Sequence, residues 1–89
     1  MKLQFTHKAQ DDLIRLREFV AYKNPQAAKK ISLHLKESIL NITNHPNMGV
    51  DVEENKQLQD LVRSDYIIRY TLRTNTIIIL RIWHTKEYR

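Results

Sequence analysis

The sequence predicts an α+β fold of order β-α-α-β-β-β, in which an N-terminal strand and an α-helical hairpin pack on a small twisted antiparallel β-sheet. Three observations predict it. Tyr66 to Leu72 and Thr76 to His84 are the two densest β-branched and aromatic runs, and the polar Arg73-Thr74-Asn75 between them marks a β-hairpin. Ala9, Leu13, Leu16 and Val20 recur at intervals of four, three and four, the period of an amphipathic helix. Asn24-Pro25 breaks that pattern and opens a second apolar stripe, and so short a break folds two helices back on one another.

In chain order, Lys2 to Phe5 alternates polar and apolar residues, as a short strand does, and Thr6 stops it and caps the helix that follows. That helix runs to about Lys23. Ile14 and Phe19 widen its apolar stripe, and Asp11 and Asp12 lie early enough to be tolerated by the helix dipole. The second helix runs from Pro25 to about Asn44 and buries Ala28, Ile31, Leu35, Ser38, Ile39 and Ile42, with His34 beside that face at the surface. Asn44 to Asn55 reads as an irregular connection, with Gly49 as a helix stop or turn residue. Gln57 to Val62 reads as a moderately polar strand with Leu58 and Val62 inward, an alternation that Leu61 fits badly.

The hairpin carries an anomaly, since Arg69, Arg73 and Arg81 lie within or beside strands that are otherwise apolar. At a period of two, Arg69 shares a face with Ile67 and Thr71, and Arg81 shares one with Ile77, Ile79 and Trp83. One face of the sheet is therefore partly wet or meets a charged partner. Tyr66, Tyr70 and Trp83 read as packing residues.

A chain of 89 residues makes a single domain, 1–89, with a modest core. It has no cysteine, so neither disulfides nor thiolate-bound zinc hold it. Lysine and arginine outnumber acids 15 to 10, a net charge of +5 that favours nucleic acid or an acidic protein as partner. The excess is concentrated late in the chain, where Lys56, Arg63, Arg69, Arg73, Arg81, Lys86 and Arg89 are offset only by Asp60, Asp65 and Glu87. With no signal-like N-terminus and no apolar run long enough for a membrane, a cytoplasmic location is expected.

No glycine-rich phosphate loop, His-x-x-x-His pair or clustered acids occur, so no metal or cofactor is expected. Ser32, Ser38 and Ser64 lack a glycine-framed elbow. A basic and aromatic set remains: the late cations with Tyr70, Trp83, His84 and Tyr88. These residue types can hold phosphates and stack on bases, with His84 or Tyr88 moving a proton and Arg81 stabilising phosphoryl charge. The same set can bind DNA or an acidic protein without chemistry, and Arg81 can be no more than one half of a strand-end ion pair.

Thr6 and Ala9 opening the first helix, Asp12-Leu13, Asn24-Pro25-x-Ala27-Ala28, Ile39 to Pro46 with Met48-Gly49, Tyr66-x-Ile68-x-Tyr70, and Ile77-x-Ile79-Leu80-Arg81-Ile82-Trp83-His84 together resemble the ParE/RelE superfamily of type II toxin-antitoxin toxins. The likeness covers nearly the whole chain and is nearest to the ParE branch. It implies a helical hairpin on an antiparallel sheet, and a cognate antitoxin with a DNA-binding N-terminus and an acidic C-terminal tail. DNA is then reached only through the antitoxin. The ParE branch implies a protein that poisons DNA gyrase and blocks replication, as in plasmid stabilisation, without a recognised enzymatic site. The RelE branch implies a ribosome-dependent mRNA endoribonuclease, whose functional positions fall on Arg81, near Arg63 and His84, and on Tyr88. Its lysine-rich strand is represented only by Lys56, and the arginine that often begins the corresponding ParE strand is replaced by Gln57 or Gln59. A non-toxic binding protein of the same family is the third reading. Target or antitoxin contacts are expected at Lys56, Arg63, Arg69, Arg73, Arg81, Trp83, Lys86 and Arg89.

Overall fold

Two helices lie on one face of a five-stranded sheet in the computed structural model, which describes residues 1–63 and 65–87. The elements are β1 (Lys2–Phe5), α1 (His7–Lys23), α2 (Pro25–Asn44), β2 (Val50–Val52), β3 (Asn55–Val62), β4 (Tyr66–Arg73) and β5 (Thr76–His84). The sheet order is β1-β5-β4-β3-β2. β2 to β5 form an antiparallel meander, of which the sequence predicts β3 to β5, whereas β1 pairs parallel to β5 and makes the sheet mixed. Val50 to Val52, within the expected irregular connection, forms a short edge strand on β3.

Both helix starts are built as their sequences require. The Thr6 hydroxyl accepts from the Ala9 N–H at 3.0 Å. The Asn24 side chain accepts from Gln26 and Ala27, so one residue ends α1 and caps α2, with Pro25 where a missing N–H costs nothing. α2 buries the six residues expected of it. In α1 the buried residues are Ala9, Asp12 and Leu16, with Leu13 and Val20 packed at the margin, while Ile14 is 58% exposed.

The β4–β5 turn consists of Thr74 and Asn75 alone, at φ 48° and 57°. Positive φ at both central residues is the type I′ geometry whose twist matches a hairpin. Farther along, Arg69 pairs with Arg81 but Tyr70 with Ile79, leaving Leu80 as an extra residue in β5. This bulge changes which residues share a face. Ile77, Ile79 and Ile82 all reach the helix-side core, and Arg81 and Trp83 are turned to the opposite face, so Arg81 does not share the face of Ile77 and Ile79.

The register of β3 is also one residue away from the expected alternation. Leu61 lies opposite Ile68 and is 2% exposed, whereas Val62 is 55% exposed. Two tyrosines anchor loops from the core. Tyr66 donates to the His34 carbonyl, so its phenol oxygen receives the Ser38 hydroxyl at 2.6 Å. Tyr70 donates to the Pro46 carbonyl and accepts from Gly49 N–H. Gly49 has no left-handed backbone; a Cβ there would lie 2.8 Å from the Tyr70 oxygen, so it is small because a phenol occupies the space.

Candidate functional site

β1 covers β5 only as far as Ile79, and beyond that point the N-terminal part of α1 supplies the missing edge partner. Thr6 donates its backbone N–H to Ile79 O and its hydroxyl to Leu80 O. The Asp12 carboxylate accepts the Ile82 N–H at 2.9 Å, and Arg15 donates to Ile82 O at 3.2 Å. Side chains thus continue a ladder that backbone began, which satisfies groups a bare edge would leave open.

Asp12 is the centre of this clasp. It is 2% exposed and binds Arg81 twice, at 2.8 and 3.2 Å, as well as Arg15 and the Ile82 amide. Burial pushes its carboxyl up, but the bonds from Arg81, Ile82 and Arg15 outweigh burial and hold it below the ordinary value. Arg15 also grips Glu87 at 2.7 and 3.2 Å, and Glu87 in turn accepts the His84 N–H. The Arg15 bond, against some opposing burial, holds the Glu87 carboxyl below its ordinary value.

On the face away from the helices, Arg69 binds Asp60 through two bonds, at 2.9 and 3.1 Å. The guanidinium carbons of Arg69 and Arg81 lie 5.2 and 5.1 Å from the Trp83 ring centre, and Trp83 is 9% exposed, packed as expected. The two in-strand arginines are therefore neutralised by carboxylates and stacked on one indole.

The remaining expected contact residues are distributed around this pair. Lys56 and Arg73 are exposed near the turn end of the hairpin, and Arg63 and Lys86 are exposed at the opposite end, beside the start of β4 and the end of β5. His84 does not join Arg81. It follows Trp83 on the alternate face, its ring 5.3 Å from Phe19 of α1, and its Nδ1 accepts the Lys86 N–H at 3.0 Å. Tyr88 and Arg89 lie outside the described residues. Asp12 is the participant that the sequence reading missed, although its place between Ala9 and Leu16 on the buried stripe is a signal that could have found it. Among the described residues no group of three or more His, Cys, Asp or Glu is placed to hold a metal ion, and no helix is long and apolar enough to cross a membrane.

Comparison with known proteins fits this architecture. The family model described as "ParE toxin of type II toxin-antitoxin system, parDE" matches residues 3–88. The chain is 29% identical over 84 residues to Toxin RelE1 of Caulobacter vibrioides, covering 92% of this chain and 90% of that protein. Its fold is similar to a chain of the chromosomal ParDE toxin-antitoxin system from P. aeruginosa, with TM-score 0.79, 23% identity and 97% of each chain covered. It is also similar to a chain of the toxin-antitoxin complex RelBE2 from Mycobacterium tuberculosis, with TM-score 0.70, 20% identity, and 97% of this chain and 92% of that one covered.

Proposed function

Since the chain belongs to the ParE toxin family of type II toxin-antitoxin systems, we propose that it acts in the cytoplasm as a toxin that inhibits DNA gyrase by binding and is neutralised by a cognate antitoxin. The observation that carries this reading is the commitment of Arg81. Its guanidinium is held by the buried Asp12 carboxylate and stacked on Trp83, while His84 is turned to α1. A phosphoryl-transfer site needs a cation and a proton carrier converging on one point, and Arg81 and His84 diverge. Exposed Lys56, Arg63, Arg73 and Lys86, with Arg89, then serve as docking charges for a macromolecule.

The ribonuclease reading draws its support from the likeness to Toxin RelE1 and from the presence of Arg81, His84 and Tyr88 in the late part of the chain. Two assays on the purified chain separate the alternatives: supercoiling and DNA cleavage by gyrase, and mRNA cleavage on translating ribosomes. Inhibition of gyrase with accumulated cleavage complex and intact mRNA is expected. Ribosome-dependent cuts that disappear in an Arg81→Ala, His84→Ala variant would replace this reading with the ribonuclease one. Inactivity of folded protein in both assays would leave the non-toxic binding protein.

A further inference from the structure

The sheet face turned away from the helices is banded across its strands. Val62, Ile67 and Trp83 stand in register on β3, β4 and β5 and form one apolar band. Beside it lie Asp60, Arg69 and Arg81, whose two guanidinium groups already hold carboxylates. Thr71 and Ile78 make the next band, and the alternation of β3 brings Leu58 to the same face. The last band is basic: Arg73 pairs with Thr76 and Thr76 with Lys2, and Lys56 falls on this face by the same alternation. Val62 is 55% exposed, and Leu58, Ile67 and Ile78 are half-buried. An apolar end and a cationic end thus flank a floor of ion pairs.

We propose that this face docks a protein surface whose apolar knob seats on Val62 and Ile67 and whose carboxylates meet Lys2, Lys56 and Arg73. Resting on the toxin reading, this is the contact through which the chain holds its target. Charge and stacking decide the class of partner. A phosphate arriving at the centre would have to displace Asp60 from Arg69 or Asp12 from Arg81, and separating such a pair is costly. Trp83, the aromatic side chain of this face among the described residues, lies beneath both guanidinium groups at 9% exposure, so it presents no open ring to a base. A second copy of this chain would bring the cations of the basic band against like charge. An apolar centre with complementary charge at its border is instead the make-up of a protein interface. Glu53 and Glu54, in the turn before β3, are acidic, so the partner's carboxylates fall on the Lys2 and Arg73 side of the face.

The test uses the intact chain in two assays, affinity for purified gyrase and growth arrest on induced expression, with urea unfolding to confirm that each variant is folded. Val62→Asp should weaken gyrase binding at least about tenfold, as loss of an interface anchor does, and abolish growth arrest. Val62→Thr keeps a β-branched side chain and so the strand, and should weaken binding about threefold through loss of one apolar group. Joint Lys2→Glu and Arg73→Glu exchange should slow association about tenfold and flatten its salt dependence. Leu33→Asp, at a residue 59% exposed on α2, should behave as the unaltered chain in both assays. Gyrase inhibition that folded Val62→Asp and Val62→Thr retain in full would overturn the proposed face and leave the toxin target standing. Growth arrest that Val62→Asp abolishes, in a chain that leaves gyrase untouched, would refute that target while the face stands. A chain that does neither overturns both. Saturable binding of a labelled single-stranded RNA with amide shifts centred on Val62 and Ile67, or sedimentation showing self-association that Val62→Asp abolishes, would give the face to a different occupant and overturn the proposal.

Discussion

Arg69 and Arg81 stand directly opposite one another on adjacent strands, and each is turned onto its own carboxylate, Asp60 and Asp12, while lying over a shared indole. Like charges in cross-strand register repel, so the pair is tolerable only because both are neutralised locally. The two carboxylates are not equivalent. Asp60 is on the outer sheet face, whereas Asp12 is buried and also closes the backbone edge of β5.

Asp12→Ala should therefore destabilise the fold by about 3–5 kcal/mol, since it strands Arg81 and leaves the Ile82 amide without its acceptor. Urea unfolding measures this. Combining Asp12→Ala with Arg81→Met should recover part of the loss, because the unpaired cation is removed, and a double-mutant sum without coupling would contradict the clasp.

The same clasp sets the acid limit of stability. Asp12 and Glu87 have carboxyls held below their ordinary values of 3.8 and 4.5. In acid the unfolded chain binds protons at these groups before the folded chain does, so their stabilisation is complete above the ordinary values and is lost as pH falls through the lowered ones. The midpoint of urea unfolding should be flat near neutrality from these two groups and fall below about pH 4.5. Asp12→Asn should make that acid decline shallower.

Gly49→Ala should cost about 1–3 kcal/mol, the usual penalty for overpacking. The new Cβ would lie 2.8 Å from the Tyr70 oxygen, 2.9 Å from its ring and 3.2 Å from the Asp60 carbonyl, and backbone on one side leaves little room to yield. Tyr70→Phe should not restore Gly49→Ala fully, because the ring contact persists and Gly49 N–H loses its acceptor. Thermal unfolding of the two single variants and the double variant checks both statements.

The hairpin turn predicts a change of opposite sign. Thr74 is β-branched and sits at φ 48°. Thr74→Asn with Asn75→Gly gives the residue pair that type I′ turns favour, and should stabilise by about 0.5–1.5 kcal/mol. A lower melting temperature in the paired variant would argue that Thr74 contributes something beyond the turn.

Much of this fold is legible in the sequence because helix stripes and hairpin runs are long and strongly periodic. The buried face of α2 follows directly from residues spaced at three and four, and the hairpin from two β-branched runs around a polar turn. What is hidden depends on pairing. The Leu80 bulge leaves no compositional mark, yet it sends Arg81 away from Ile77 and Ile79. Leu61 breaks a local alternation and is nonetheless inward, because its position is fixed by Ile68 across the strand pair. The parallel placement of β1 is likewise a long-range choice that no local pattern carries. At the site, the cations were visible as types, but their division into paired Arg69 and Arg81 and exposed Lys56, Arg63, Arg73 and Lys86 depends on Asp12 and Asp60.

The strand that both sheet halves require comes after the other four in chain order. β5 lies between β1 and β4, and the clasp joins Asp12 to Arg81 and Ile82 across nearly the full chain. A nascent chain that has not released β5 has β1 without a partner, α1 without its anchor and β4 with one open side. Contacts of such sequence separation form slowly and late. The clasp thus makes the whole sheet conditional on one strand: until β5 is free to dock, neither half of the sheet can close and Asp12 has no partner to hold.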